Sequence, residues 1–138
     1  MTGLKKKKKI KSIASLKKTA QTLVNKSIIL RDRINENEFV CISCQRRLPI
    51  KQYNVGHFFP IKGYGKLRYD LRNLNVECKK CNGFSEAHLI WYAIHLKEKL
   101  GDEEYANLLN DAVYLDRTEW TREELEAIIK KYGSKSTL

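Results

Sequence analysis

The chain has 138 residues, of which 42% are hydrophobic and 31% are charged, a mixture typical of a small globular protein. No stretch approaches the roughly 18–20 consecutive apolar residues of a membrane span, which argues against an integral membrane protein and a membrane partner. The formal net charge of +11 instead favours a polyanionic partner such as DNA.

The basic charge is concentrated at the N-terminus. Residues 1–33 hold eleven lysines and arginines against one acidic residue, so they carry +10 and leave +1 for the other 105 residues. We predict a basic tail over residues 1–10 that binds DNA phosphates, although a solvated tail without this role stays open. Its lysines are Lys5, Lys6, Lys7, Lys8 and Lys9. Because no apolar signal segment follows, we expect a protein that is not secreted.

The first predicted element is a long basic helix over residues 11–36. Apolar residues recur there at helical spacing, from Ile13 and Leu16 through Ala20 and Val24 to Ile28. This pattern does not separate a face packed on the core from a face that contacts a second copy. A homodimer therefore remains an open alternative.

All four cysteines occur in two Cys-x-x-Cys pairs, Cys41/Cys44 and Cys78/Cys81, with 33 residues between the pairs. Two-residue spacing lets both thiolates of a pair reach one tetrahedral ion, and two pairs complete its shell. A redox Cys-x-x-Cys normally occurs as a single pair after a strand. The spacing therefore predicts a structural Zn²⁺ held by Cys41, Cys44, Cys78 and Cys81.

Two short strands are predicted between the cysteine pairs, over residues 55–60 and 71–77, and helices follow. The first of these helices begins near Ser85 and ends at Gly101, with Leu89, Tyr92, Leu96 and Leu100 on its inner face. Asp102 is expected to cap the next helix, whose inner face would carry Tyr105, Leu108, Leu109 and Ala112. A last helix is predicted to begin near Thr121, because Thr121 and Glu124 are spaced as a capping box, and it should end at Gly133.

The fold predicted from these elements is α+β, a small zinc-stapled core flanked by helices. Residues 11–138 would form a single domain. It would comprise the basic helix over residues 11–36, a zinc-knuckle core over residues 37–88 and C-terminal helices over residues 89–138.

A set of nitrogen and oxygen side chains accompanies the knuckles. His57 lies on the first predicted strand, Asn73 on the second, and Asn82 and His88 follow the second knuckle. An imidazole can deprotonate water at neutral pH, and a divalent ion with imidazole and oxygen ligands can stabilise charge on a phosphorane. The alternative interpretation is that His57 is simply packed and that Asn82 caps a helix.

Several of these motifs resemble the NinG (Rap) recombination proteins of lambda-like phages. The residues that carry the resemblance are Cys41-Ile42-Ser43-Cys44, Gly56-His57-Phe58, Leu67-Arg68-Tyr69-Asp70, Asn73 and Cys78-Lys79-Lys80-Cys81-Asn82. A lysine-rich N-terminal helix and a helix containing Tyr92, Leu96 and Leu100-Gly101 extend the likeness over about residues 5 to 110. The resemblance implies a member of the broader His-Asn-His (HNH), or ββα-metal, nuclease class.

This resemblance implies a metal-dependent endodeoxyribonuclease that cleaves branched DNA, such as Holliday junctions and D-loops, in the cytoplasm of an infected bacterial cell. His57 would be the general base and Asn73 would orient the base and its loop. Mg²⁺ or Mn²⁺ would be bound by His57 and Asn82, with His88 as a possible further ligand. Many HNH enzymes carry an acidic ligand immediately before the base histidine, but this chain has Gly56 there, and Asn54 stands near the place of an aspartate in NinG-like sequences.

Basic residues surround the predicted site. Lys62, Lys66, Arg68 and Arg72 are the candidate DNA contacts, and aromatic residues are interleaved among them, which suits backbone binding with stacking on unpaired bases. Two other functions stay open. One is a noncatalytic, zinc-containing DNA-binding recombination accessory protein, and the other is a protein-interaction adaptor.

Overall fold

The structure is a computed structural model that describes residues 10–83 and 87–133. Within them, helices α1 to α5 surround two small antiparallel sheets. The helices are α1 (Ile13–Asp32), α2 (Lys79–Gly83), α3 (Ala87–Leu100), α4 (Asp102–Val113) and α5 (Arg122–Gly133). The strands are β1 (Glu38–Val40), β2 (Arg47–Pro49), β3 (Tyr53–His57) and β4 (Leu74–Cys78). The predicted α+β class is confirmed, whereas Lys5 to Lys9 lie outside the described residues.

Helix α1 begins where Ser12 accepts a hydrogen bond from the Ser15 amide, 3.1 Å away. One stripe of the helix is buried against α5 and β4 and consists of Leu16, Ala20, Val24, Ile28 and Ile29. The helix ends at Asp32, before the predicted residue 36, because Arg33 is extended and pairs with Phe39. None of the helices in the described ranges is both long and apolar enough to cross a membrane.

The β3–β4 hairpin carries the centre of the molecule. Its register pairs Gly56 with Asn75 and His57 with Leu74, and every residue of β4 is buried. Both strands are displaced from their predicted positions. β3 begins at Tyr53, and residues 71–73 form a 3₁₀ turn in which the Asp70 carboxylate accepts a hydrogen bond from the Arg72 amide. Phe58 and Phe59 therefore belong to the loop that follows β3.

Two apolar clusters hold these elements together. The larger joins α1, α5 and the β3–β4 hairpin to the cysteines, with Phe39 and Leu125 fully buried. The second joins the β3–β4 loop to α3 and α4 through Leu67, Leu96 and Leu108. The hairpin contributes Leu74 and Val76 to the larger cluster, and Tyr92 of the second cluster donates a hydrogen bond to Gly56 of the hairpin.

The C-terminal helices differ from the predictions at three residues. Leu89 is 45% exposed and Leu109 is 37% exposed, so neither belongs to an inner face. Asp102 is the first residue of α4, and the N-cap is Gly101, whose φ of 84° ends α3 and favours glycine. The capping box is confirmed, since Thr121 and Glu124 exchange hydrogen bonds between side chain and backbone at 2.9 and 3.2 Å.

Candidate functional site

Four cysteine sulfur atoms meet at the junction of β1, β4 and α2. Cys41 follows β1, Cys44 lies in the next turn, Cys78 ends β4 and Cys81 lies in α2. Their Sγ atoms all lie within 4.8 Å of one another, and they form the only such group of three or more histidine, cysteine or acidic side chains in the part of the chain that the structure describes. Four thiolates from two knuckles match the ligand set of tetrahedral structural zinc, so the residues fit the predicted metal.

Backbone and side-chain donors surround the sulfur atoms. The Cys78 amide donates to Cys41 Sγ at 3.3 Å, and Arg46 donates to Cys44 Sγ at 3.4 Å and to Cys78 Sγ at 3.6 Å. Burial opposes ionisation of Cys44, but hydrogen bonds, chiefly from Arg46, outweigh it and lower the pKa of the thiol to about 7. Such donors stabilise the thiolate form that a metal requires.

His57 is the last residue of β3 and is partly buried. Its Nε2 lies 3.0 Å from the Arg68 carbonyl oxygen. Because a carbonyl oxygen only accepts hydrogen bonds, Nε2 carries the proton in the neutral ring and Nδ1 holds the lone pair. Burial lowers the pKa of His57, partly offset by the Arg68 carbonyl, so the neutral form predominates at pH 7. The ring is thus in the protonation state that a general base needs.

Asn73 fastens the two ends of the β3–β4 loop immediately after His57. Its fully buried side chain accepts from the Phe59 amide at 2.7 Å and donates to the carbonyl oxygens of Phe59 and Leu67, both at 3.1 Å. Its backbone carbonyl accepts from the Phe58 amide at 2.9 Å. These four contacts fix the path of the chain that leaves His57 and returns through Arg68.

Tyr92 of α3 holds the residue before His57. Its hydroxyl donates to the Gly56 carbonyl oxygen at 2.8 Å and accepts from the Asn75 side chain at 3.1 Å. Tyr92 is almost completely buried, at 1% exposure, so these bonds have no competition from solvent. Helix α3 therefore fixes both strands of the hairpin at the position where Gly56 and Asn75 pair.

Asn82 and His88 lie on the α2 side of the hairpin. Asn82 is exposed, and its Oδ1 would lie 3.2 Å from a β-carbon built on Gly56. His88 is half-exposed and lines a shallow cleft with Cys44, Trp91 and His95. The structure thus places Asn82 beside Gly56, whereas no contact between His88 and His57 is found among the described residues.

Glu77 is a site residue that the sequence analysis missed. It is 4% exposed on β4, and Ser43 donates to its Oε2 at 2.6 Å. Burial raises the pKa of Glu77, while the Ser43 hydrogen bond and the charge of His88 oppose this rise. The available signal was an acidic residue in a strand otherwise suited to burial, directly before a zinc knuckle.

The predicted DNA-contact residues have different neighbours. Arg72 forms ion pairs with Asp70 at 2.7 Å and with Asp111 at 2.8 Å. Lys66 forms an ion pair with Glu124 at 3.2 Å. Arg68 donates to Gln21 at 2.9 Å, and Lys62 is exposed; neither forms an ion pair within residues 10–83 or 87–133. Arg68 and Lys62 therefore keep more of their charge available for phosphate than Arg72 does.

The fold and the cysteine cluster define a small α+β protein with a predicted zinc centre, and comparison with known proteins identifies its family. The model of the family described as Bacteriophage Lambda NinG protein matches residues 2–137, so the chain belongs to the NinG family. The proteins named Protein ninG of Escherichia phage 933W and Salmonella phage P22 are each 34% identical to it over 118 residues, and that of Escherichia phage lambda is 33% identical.

These alignments cover 86% of the chain but only 54–55% of the relatives. The chain thus spans about half the length of the curated proteins that it matches. No solved structure matches it significantly.

Proposed function

We propose that the chain is a metal-dependent DNA endonuclease of the HNH, or ββα-metal, class. The observation that carries the proposal is His57 at the end of a hairpin strand, with its loop fixed by Asn73 and with α2 joined to the hairpin through the cysteine cluster. This arrangement places a neutral imidazole one residue from Gly56, where the side-chain oxygen of Asn82 from α2 approaches β3. Strand, strand and helix occur in the order that the nuclease class requires.

The reaction begins when a water molecule transfers a proton to Nδ1 of His57 and its oxygen attacks the phosphorus atom. The P–O3′ bond breaks, and the departing 3′ oxygen takes a proton from solvent, which leaves 5′-phosphate and 3′-hydroxyl ends. Asn73 keeps the loop, and with it the Arg68 carbonyl that orients His57, in place. A Mg²⁺ or Mn²⁺ ion held by Asn82 and His88 would supply positive charge for the phosphorane. The ligand role predicted for His57 does not fit this scheme, because Nε2 is bonded to the Arg68 carbonyl and Nδ1 takes the proton.

The proposed substrate is branched DNA, including Holliday junctions and D-loops, in the cytoplasm of the infected cell. Support comes from membership of a phage protein family and from the +10 charge of residues 1–33. Shape rather than base sequence would be recognised, with Arg68 and Lys62 as phosphate contacts and the N-terminal lysines adding sequence-independent affinity. A homodimer would allow the two cuts that junction resolution needs.

A noncatalytic DNA-binding accessory protein is the second candidate. Gly56 favours it, because that position carries an acidic metal ligand in many HNH enzymes and glycine provides none. This candidate predicts tight binding to branched DNA without cleavage.

The test compares cleavage of matched linear, forked and four-way DNA in Mg²⁺ or Mn²⁺. His57→Gln should abolish cutting while leaving DNA binding intact, since glutamine preserves a hydrogen-bonding side chain but not a base. His95→Gln is the matched control, because His95 also faces a carbonyl oxygen, that of Ile42 at 2.7 Å, but lies on α3. Branched-DNA binding without cleavage by the native chain would favour the accessory protein, and products with 3′-phosphate ends would contradict the mechanism.

A further inference from the structure

The space beside Gly56 is filled by a side chain from the other strand. A β-carbon built on Gly56 would overlap Oε1 of Glu77 and would lie 3.2 Å from Oδ1 of Asn82. Any side chain at position 56 therefore requires Glu77 to move. The carboxylate from β4 occupies the volume that a residue immediately before His57 would otherwise use.

Strand register explains this position. Asn54 pairs with Glu77, and directly paired residues on neighbouring strands point to the same face of a hairpin. Asn54 and Gly56 are two residues apart on β3, so they also point to one face. Glu77 thus shares a face of the hairpin with Gly56. The missing side chain at position 56 provides room for its carboxylate, and Asn82 from α2 approaches the same point.

The two carboxylate oxygens have different surroundings. Oε2 accepts the 2.6 Å hydrogen bond from Ser43, which fixes the orientation of the group. Oε1 faces Gly56 and Asn82. A carboxylate that is 4% exposed is costly to bury unless positive charge or hydrogen bonds compensate it, and one hydroxyl with the partly exposed His88 nearby is modest compensation.

A carboxylate oxygen and an amide oxygen that approach one point are the donors that Mg²⁺ and Mn²⁺ prefer. We propose that Glu77 is the acidic ligand of the divalent-ion site, supplied by β4 in place of a side chain at position 56. The inference rests on the proposed nuclease function and names a ligand for its metal. It removes the main weakness of that site, which otherwise consists of neutral groups.

The first test measures Mn²⁺ binding to the full, zinc-loaded chain by the loss of the free-ion electron paramagnetic resonance signal. Glu77→Gln should weaken binding by about tenfold or more, since changes even outside the ligand shell cost roughly 10–100-fold in metal affinity. Glutamine can still accept the Ser43 hydrogen bond, so the zinc content should not change. Glu119→Gln is the matched control, because its side chain is 91% exposed on the loop before α5 and should leave Mn²⁺ affinity unaltered.

A second test moves the carboxylate between strands. Glu77→Ala should lose Mn²⁺ binding and empty the volume beside Gly56. Adding Gly56→Asp to that variant should restore most of the binding, because the new side chain projects into the space that Glu77 vacated. Recovery would support the proposal even if the single variant were less stable.

Unchanged Mn²⁺ affinity in Glu77→Gln would overturn the proposal. Loss of zinc together with Mn²⁺, without rescue by Gly56→Asp, would also overturn it by assigning Glu77 to support of the cysteine knuckle. If these results came with metal-dependent cleavage by the native chain, the proposed function would stand and only the ligand would be wrong. A native chain that neither binds Mn²⁺ nor cuts DNA would refute both.

Discussion

The cysteine cluster consists of four identical side chains from two Cys-x-x-Cys pairs. The site around Gly56 instead consists of unlike groups from the end of β3, from β4 and from α2. Both sites contain residues of β4 and α2, and they are neighbours because Glu77 and Cys78 are consecutive in β4. The cluster can be recognised from spacing alone because each pair is local. The second site depends on strand register, on loop fastening and on a missing side chain, so every part of it depends on the rest of the fold.

Removal of one zinc ligand should have the largest effect. Cys78→Ser leaves three thiolates at the junction of β4 and α2, and structural zinc contributes on the order of 10–16 kcal/mol of apparent binding energy in small zinc-dependent peptides. We expect loss of bound zinc and of cooperative unfolding, measured by metal analysis and circular dichroism. A variant that kept both would show that the packed helices, not the metal, stabilise this region.

Loss of the loop fastening should have an intermediate effect. Asn73→Ala removes three side-chain hydrogen bonds that are buried or partly buried and leaves the Phe59 amide without its partner, so we expect about 2–4 kcal/mol of destabilisation in urea. Zinc should remain bound, which would separate the two sites experimentally. Asn107→Ala, an exposed change on α4, is the control and should alter stability by less than about 0.5 kcal/mol. Equal midpoints for both variants would contradict the role given to Asn73.

The smallest effect is expected from the tyrosine that holds Gly56. Tyr92→Phe leaves the apolar packing intact but removes the donor to the Gly56 carbonyl, at a cost of about 1–2 kcal/mol. Tyr114→Phe is the matched control because Tyr114 is 80% exposed. Urea unfolding measures both variants, and an unchanged midpoint for Tyr92→Phe would mean that water replaces the lost hydroxyl.

Local signals predicted several elements correctly. The periodicity of α1 marked its buried face from Leu16 to Ile28, and the capping box located the start of α5 at Thr121. Strand limits were less accurate, because the Asp70 turn converts residues 71–73 into a 3₁₀ segment and delays β4. Leu89 fitted a helical pattern but lies outside the core, since periodicity gives spacing and not the extent of the neighbouring surface.

The site shows the same division between local and nonlocal information. Order and residue type were enough to predict roles for His57 and Asn73, whereas the contact of His57 with Arg68 depends on how the loop folds back. The sequence marks Glu77 only as an acidic residue in a buried strand; its position beside Gly56 depends on the pairing of two strands. The proposed ligand role of Glu77 thus depends on strand register, which no single segment of sequence specifies.

Cys78 is the last residue of β4, and α2 begins at the following residue. A zinc ion bound by the four cysteines would therefore act as a clasp that holds the strand with Glu77 against the helix with Asn82. A chelator added to remove Mg²⁺ or Mn²⁺ would therefore also act on the clasp. Inhibition of the proposed nuclease by EDTA would then report two events, which are loss of the proposed Mg²⁺ or Mn²⁺ ion and separation of the strand from the helix. Activity lost in this way should return only when zinc is restored before magnesium.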